Sequence, residues 1–219
     1  MADEARAFAQ ALNKEAETAI AYHSTATAPE KIHGIIPRLD ATTGTFGTQI
    51  IKVTASPSSS DQASILFIGW GAGAYLFYPK GSKAGIETID MGRQLWDDGT
   101  GKKFVANVTN WKWHFGISVP DGRQMVRICN IDTSAEAADG DTIAPAMIEA
   151  THRIDDPNGI RGVFYMNRTV FSLLHKQSRN ATKNSSLTID SIGGKPVAMF
   201  LGYPVRITDA LTSTEAIVS

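Results

Sequence analysis

The stretch Trp111-Lys-Trp-His-Phe-Gly-Ile-Ser-Val119 has the clearest periodicity in the chain, with apolar residues at odd positions and polar or small residues at even positions. This alternation is typical of a half-buried strand. Pro120-Asp-Gly122 follows with residues that favour a turn, and the segment 123–131 then runs back. The sequence therefore predicts a long β-hairpin over about 104–131, whose strands exceed the usual length of about 5–6 residues. Long hairpins that project from a small core often serve contacts between subunits.

Further secondary structure is predicted on the N-terminal side of this hairpin. Ser64-Ile-Leu-Phe-Ile-Gly-Trp70 is apolar at successive positions, which predicts a strand covered on both faces. Short strands are predicted over 48–53 and 74–78. A helix is predicted over 2–23, and one apolar face recurs along it at spacings of three and four: Phe8, Leu12, Ala16, Ala19 and Ile20.

The C-terminal part mixes helices and strands. A helix is predicted over 142–153 with Asp141 as its N-cap, and a strand follows over 162–166. Asn167 caps a second predicted helix, whose buried face is Val170, Phe171 and Leu174. Short strands over about 187–218 close the domain. Because the chain has no βαβ repeat, no internal repeat and no heptads, the pattern predicts a fold of the α+β class.

The composition excludes several classes of protein. The 219 residues are 42% hydrophobic and 20% charged, which is enough for a sizeable core. A net charge of −1 with scattered Lys and Arg argues against a broad basic surface that binds nucleic-acid phosphates, so we expect no sequence-specific nucleic-acid binding. No run approaches the ~20 apolar residues of a membrane span, and no signal peptide is visible. Cys129 is the single cysteine and is interpreted as a small strand residue.

Each candidate for a chemical site has a simpler explanation. Gly99-Thr-Gly-Lys-Lys103 resembles a phosphate-binding loop but lacks its frame, so a glycine-rich hairpin turn is favoured. Glu149 and His152 have the spacing of two metal ligands on one helical face, but di-metal bundles need a second copy of this motif. Asp97-Asp98 and Asp155-Asp156 are interpreted as solvated turn residues. The sequence predicts no catalytic residue, no cofactor and no metal site.

Three aromatic residues leave two classes of protein open. Trp111, Trp113 and Phe115 lie on one face of the predicted strand, and on an exposed sheet they would stack sugars or bases. Alternatively they fill the core or a seam between subunits, because aromatic rows bury large areas when a partner covers them. The first interpretation describes a monomeric β-rich module that binds a carbohydrate or other ligand, and the second describes a structural subunit.

A set of motifs decides between these interpretations, because the motifs occur together and in the order found in one known family. They are Gly34-Ile-Ile-Pro-Arg38, Gly69-Trp-Gly71, Tyr78-Pro-Lys-Gly-Ser-Lys-Ala-Gly85, the strand 112–117, Val126-Arg-Ile-Cys-Asn-Ile-Asp132, Phe164-Tyr-Met-Asn-Arg-Thr169, and Gly194-Lys-Pro-Val with Pro204-Val-Arg206. Together they resemble the major capsid protein of podovirus-type bacteriophages, whose subunits share the capsid fold of tailed phages, herpesviruses and encapsulins. The likeness runs from about Ala16 to the end of the chain.

The resemblance implies a domain organisation. It predicts a spine helix and a long hairpin in a peripheral domain, and a mixed axial domain that packs around symmetry axes. Residues 1–134 would contribute mainly peripheral elements and 135–219 mainly axial elements, within effectively one compact unit. Because Met1 already lies inside the predicted spine helix, the N-terminal arm and extended loop that family members carry before it are expected to be absent.

The resemblance also implies a function. The chain would be a structural subunit, not an enzyme, that is made in the host bacterial cytoplasm and assembles into pentamers and hexamers of an icosahedral, genome-enclosing capsid in the virion. Its partners would be further copies of itself, with scaffolding, portal or decoration proteins as additional candidates, and no cofactor or membrane. Subunit contacts are expected from basic side chains inside the matching motifs, for which a solvated face is the alternative: Lys80, Lys83, Arg123, Arg127 and Arg206. We expect Arg127→Glu to reduce oligomerisation more than it lowers the melting temperature.

Overall fold

A computed structural model describes residues 2–54, 57, 60–81, 84–138, 141–178, 187–192 and 195–218 of the chain. The chain forms two compact units, one built from Met1–Asn13 and Leu76–Gly116, the other from Lys14–Tyr75 and Ile117–Ser219. We call them the hairpin unit and the sheet unit. The assignment of 1–134 to mainly peripheral elements and 135–219 to mainly axial elements stays a prediction.

The described helices and strands follow one another in runs and do not alternate regularly, which confirms the predicted α+β class. In chain order they are α1 (Ala2–Tyr22), β1 (Ile50–Lys52), β2 (Gln62–Gly71), β3 (Tyr75–Phe77), β4 (Glu87–Asp97), β5 (Lys103–Lys112), β6 (Gly116–Ser118), β7 (Met125–Asp132), α2 (Thr133–Ala138), α3 (Ile143–His152), β8 (Ile160–Met166), α4 (Arg168–Ser178), β9 (Leu187–Ile192), β10 (Lys195–Phe200) and β11 (Tyr203–Ile207). None of the helices in the described ranges is long and apolar enough to cross a membrane.

A mixed seven-stranded sheet is the centre of the sheet unit. Its strand order is β1-β7-β2-β8-β11-β10-β9. β2 runs antiparallel to both β7 and β8, whereas β1 is parallel to β7 and β11 is parallel to β8. The eight residues from Gln62 to Gly69 are all buried, which confirms the predicted strand covered on both faces. Burial on both faces is what a continuous apolar run requires when the strand is central.

The main core lies between one face of this sheet and the helices α3 and α4. Phe67 and Phe164 stack at its centre with their ring centroids 4.1 Å apart. Both helices direct apolar side chains into the same cluster, among them Met147 from α3 and Leu174 from α4. Burying each such side chain stabilises the fold by roughly 1.5–3 kcal/mol. These contacts hold both helices against one face of the sheet.

The end of α1 is capped by the chain that follows it. Backbone N–H groups of Gly34 and Ile35 donate to the carbonyls of His23 and Ile20, at N–O distances of 2.7 and 2.9 Å. These bonds satisfy carbonyls that a helix end leaves without partners. A Cβ at position 34 would lie 2.8 Å from the Ile20 carbonyl oxygen, so the approach requires glycine.

The predicted helix over 2–23 is confirmed as α1, but its apolar face is only partly covered. Ala16 and Ala19 are buried, whereas the Phe8 side chain is 66% exposed. The 3.6-residue period of the sequence therefore predicted the helix correctly, but the period does not specify how far along the helix the covering surface extends.

The hairpin unit contains the largest departure from the predicted fold. β5 pairs antiparallel with β4, which precedes it, and β7 instead pairs with β1 and β2 in the central sheet. The prediction of one hairpin over 104–131 is therefore wrong, although β7 overlaps the predicted returning strand over residues 125–131. The alternating stretch also fails as one strand, because β5 ends at Lys112 and β6 begins at Gly116.

Several local predictions in the C-terminal part are confirmed. α3 and β8 lie where helix and strand were expected, and the Asn167 side chain caps α4 by accepting a bond from the Val170 N–H at 2.7 Å. The predicted Asp141 cap is wrong, because the N-cap residue of α3 is Thr142 and no side chain bonds there. The closing strands end at Ile207, and 208–218 continue without strand structure.

Candidate interaction surface

The end of the β4–β5 hairpin exposes a cluster of large apolar side chains. We call residues 93–107 the hairpin tip. Four of its apolar side chains are at least half exposed: Leu95 (64%), Trp96 (54%), Phe104 (50%) and Val105 (66%). Clustered exposed apolar side chains of this kind mark interaction surfaces in soluble proteins.

The register of the hairpin divides these side chains between two faces. Leu95 lies opposite Val105, and Trp96 lies opposite Phe104. Because neighbouring residues of a strand point to opposite sides, each cross-strand pair occupies its own face. We call the face of Leu95 and Val105 the outer face, and the face of Trp96 and Phe104 the groove face.

The groove face takes its name from a cleft beside α1. A groove of about 540 Å³ lies between α1 and the hairpin, and its lining includes Phe8, Trp96, Ala106, Val108 and Trp111, with Glu4 on its helix side. Ala106 and Val108 are partly buried, whereas Val105 and Asn107 are exposed. The helix therefore covers part of the groove face and leaves Trp96 and Phe104 open.

The turn at the end of the hairpin is set by local chemistry. Asp98 Oδ1 accepts bonds from the Thr100 N–H at 2.8 Å and the Lys102 N–H at 3.3 Å. These bonds, chiefly those from Thr100, lower the pKa of the Asp98 carboxyl. Gly99 and Gly101 adopt positive φ angles of 81° and 86°, which favour glycine. The glycine-rich hairpin turn predicted from the sequence is confirmed.

The five basic residues predicted at subunit contacts lie in different environments. Lys80 and Arg206 are exposed, and Lys83 lies outside the described residues. Arg123 is exposed and forms ion pairs within its own unit, at 2.9 Å to Asp121 and 3.0 Å to Asp155. Each of these residues is therefore considered by itself.

Arg127 differs because it lies inside the sheet unit. Its side chain is 4% exposed and pairs with Glu215, whose side chain is also 4% exposed, at an Nη2–Oε2 distance of 2.8 Å. The Arg127 Nη1 donates to the Leu39 carbonyl at 2.8 Å and the Nε donates to Ser64 Oγ at 3.2 Å. Because Arg127 is buried within its own unit, we do not expect it to contact a neighbouring copy. The Arg127→Glu variant would place a second carboxylate beside Glu215, and we expect the unit to unfold.

The Glu215 carboxylate joins parts of the sheet unit that are far apart in sequence. Besides Arg127 on β7, it accepts bonds from Ser64 on β2 and from the Tyr22 hydroxyl at the end of α1. Burial and then the Glu215 charge raise the pKa of Tyr22 to about 12. Sequence reasoning missed this network because no local pattern relates position 215 to positions 22, 64 and 127.

The same side of the sheet holds the single cysteine. Cys129 is fully buried, and burial raises the pKa of its thiol to about 11. A thiol that is buried and protonated at neutral pH is a poor nucleophile. The interpretation of Cys129 as a small strand residue is confirmed.

The aromatic residues and acidic pairs considered for chemistry have structural roles. Trp113 and Phe115 pack against each other with ring centroids 5.1 Å apart, and both are half-buried. Asp156 Oδ1 accepts turn N–H groups, as expected for a turn residue. Glu149 forms an ion pair with Arg153 at 2.6 Å. Among the described residues no group of three His, Cys, Asp or Glu side chains is placed to hold a metal ion.

The described residues thus form a mixed seven-stranded sheet in one unit and, in the other, a hairpin with an open apolar tip. The chain matches the family "Major capsid protein GP7" over residues 1–219, and it belongs to that family. A chain in the near-atomic structure of bacteriophage Epsilon15, derived from cryo-EM and modelling, is 34% identical with a TM-score of 0.70. The match covers 99% of this chain and 67% of that chain. No curated protein matches.

The comparisons confirm the resemblance found in the sequence. The chain is a structural subunit of a bacteriophage capsid, and its place is the virion. The tailed-phage capsid fold is confirmed by the same structural match. The alternative of a monomeric ligand-binding module has no support.

Proposed function

We propose that copies of this chain associate as pentamers and hexamers into a closed icosahedral shell around the phage genome, and that the chain acts by contact alone, without catalysis. Membership of a major capsid protein family supports association of the chain with itself. The observation that carries the proposal is the open apolar surface of the hairpin tip.

The area of this surface is modest on each face of the hairpin. A large apolar side chain carries on the order of 200 Å² of surface, so each half-exposed pair offers roughly 200 Å² of apolar area on its own face. Neither face alone reaches the roughly 300–600 Å² of the largest apolar patch on a typical monomer, but the hairpin tip is open on both faces. In a shell, the same modest contact is repeated by every copy, and the repeats together stabilise the lattice.

The two units suit different places in the capsid subunit. The hairpin unit combines the first half of α1 with the long hairpin, which are the elements expected in a peripheral domain. We assign it that role, and we assign the sheet unit the role of the axial domain around the symmetry axes. A sheet whose central strands β2 and β7 are buried on both faces is suited to an axial position, because its contacts must be identical in every copy.

Charged side chains supplement the apolar contact. Lys80, Arg123 and Arg206 are exposed and remain our candidates for pairs with carboxylates of neighbouring copies. Exposed ion pairs contribute only about 0–1 kcal/mol each, so we expect them to set register more than strength. Scaffolding, portal and decoration proteins are candidate partners. Because the net charge is −1, we expect no sequence-specific contact with packaged DNA.

The test is the mass of the purified protein in solution over a concentration series, by light scattering coupled to size exclusion, with electron microscopy of the large fractions. We expect rings, sheets or shells with five- and six-fold capsomers. A protein that keeps the mass of one 23.6 kDa chain at every concentration would overturn the proposal.

A further inference from the structure

The geometry of the hairpin tip points to a specific partner surface. We propose that the outer face of one copy packs into the groove face of the next copy, so that the hairpins associate head to tail. This inference rests on the proposed self-assembly and adds which surface of the second copy occupies the groove.

The first argument is the difference in shape between the two faces. The groove face has a cleft of about 540 Å³ between Phe8 and Trp96, with Ala106 and Val108 in its lining. The outer face carries Leu95 and Val105 opposite each other, at 64% and 66% exposure. Two branched aliphatic side chains form a compact ridge, and a cleft with aromatic walls accommodates such a ridge better than it accommodates a second cleft.

The second argument is the area that this contact covers. Phe8, Trp96 and Phe104 are between 50% and 66% exposed, and so offer about 300 Å² of open aromatic surface. With the Leu95 and Val105 side chains of the other copy, the contact buries roughly 500 Å² of apolar area. This is well below the ~1,600 Å² of total surface that a standard stable interface buries. The contact alone is therefore weak, as a repeated and reversible lattice contact must be.

The third argument is charge. Lys103 and Asp97 lie opposite each other at one side of the apolar pair, and Arg93 lies on the same outer face at the other side, so this face carries two basic side chains and one acidic side chain. The cleft has Glu4 on its helix side. Packing the outer face into the cleft brings a net positive face towards Glu4, whereas packing two outer faces together brings two net positive faces together. Opposite potentials at the rim favour the first arrangement.

The arrangement has a consequence for the assembly. A contact between two unlike surfaces leaves every copy with one free outer face and one free groove face, so further copies add until the path closes. Each hairpin tip is then covered on both of its faces. An isolated two-stranded hairpin is marginally stable in water, and cover on both faces removes this weakness.

The test uses two variants of the full chain, each of which replaces one cross-strand pair by an opposite-charge pair that keeps the hairpin paired. The outer-face variant is Leu95→Glu with Val105→Lys, and the groove-face variant is Trp96→Glu with Phe104→Lys. The matched control is Met91→Lys, because Met91 is 48% exposed on the same hairpin but lies outside the tip. Circular dichroism and the melting temperature verify that all three variants fold.

The readout is the mass in solution by sedimentation velocity over the concentration range in which the unaltered chain assembles. We expect each tip variant alone to remain at the mass of one chain, and the control to assemble like the unaltered chain. In an equal mixture of the two tip variants, one intact outer face meets one intact groove face, so we expect a weak dimer that appears only at the highest concentrations and nothing larger.

The outcomes that contradict this inference differ from those that contradict the proposed function. Assembly of either tip variant alone would overturn the head-to-tail contact while leaving self-assembly intact, and it would point to a different protein as the occupant of the hairpin. A mixture that stays monomeric would also overturn the head-to-tail contact. Failure of the unaltered chain itself to assemble would contradict the proposed function as well.

Discussion

Replacing Glu215 by alanine should remove a large part of the free energy of unfolding of the sheet unit. The change leaves the Arg127 guanidinium, whose side chain is 4% exposed, without its carboxylate partner. Breaking a buried ion pair by removing one partner costs about 3–5 kcal/mol. The Tyr22 and Ser64 hydroxyls lose the same acceptor, at about 1 kcal/mol each. We therefore expect a loss of about 5 kcal/mol, against a total of about 5–15 kcal/mol for a folded domain.

The assay is urea unfolding of the unassembled chain followed by circular dichroism. With a slope near 2 kcal/mol per M, the midpoint should fall by about 2 M. The matched control is the double variant Arg127→Met with Glu215→Leu, which removes both charges. It should recover at least about 2 kcal/mol relative to Glu215→Ala, because apolar replacement of a buried pair is often nearly neutral. A loss below about 1 kcal/mol for Glu215→Ala, or no recovery in the double variant, would refute this account of the network.

Three further changes test other features. Gly34→Ala should lower the free energy of unfolding by about 1–3 kcal/mol, because its Cβ would lie 2.8 Å from the Ile20 carbonyl oxygen; an unchanged urea midpoint would contradict this. Asn167→Ala should cost about 1–2 kcal/mol by removing the bond to the Val170 N–H, and Asn167→Asp, which keeps the acceptor, should recover part of it in the same assay. Because the folded-state pKa of Tyr22 is raised from 10.0 to about 12, its stabilising contribution is complete below pH 10 and is lost as the pH rises to about 12. In the Tyr22→Phe variant, the melting temperature should fall less steeply with pH over that range. An equal fall in the variant and the unaltered protein would count against the raised pKa of Tyr22.

The sequence predicted those parts of the fold that depend on local pattern. The apolar run in β2, the helix α1 and the Asn167 cap were all evident from residue spacing, because burial on both faces, helical period and capping chemistry each leave a signature within a few residues. The turn at Gly99 and Gly101 was evident for the same reason.

Strand pairing was the part that local pattern could not give. Pro120-Asp-Gly122 is a plausible hairpin turn, and the residues on either side of it do alternate. The partner of β5 nevertheless lies on its other side, at β4, where the turn is formed by residues 98–102. A turn signal therefore shows where the chain can reverse, but not which reversals become hairpins. That depends on the side-chain pairs across the strands.

The candidate interaction surface was equally hidden in the sequence. Leu95, Trp96, Phe104 and Val105 resemble core residues when read in order, and only their register shows that they form two open faces. The network around Glu215 was missed for the opposite reason. A single acidic residue in a polar C-terminal segment resembles a solvated side chain, whereas its burial follows from long-range packing.

The pairing of Arg127 with Glu215 also restricts how this protein can change over generations. A substitution at either position alone leaves a buried charge unmatched, and a cost of about 3 kcal/mol or more raises the unfolded fraction roughly a hundredfold. A substitution at both positions together avoids most of that cost. The two residues are 88 positions apart in the chain. We therefore expect them to be conserved or replaced together, because few single substitutions at either position keep the protein folded.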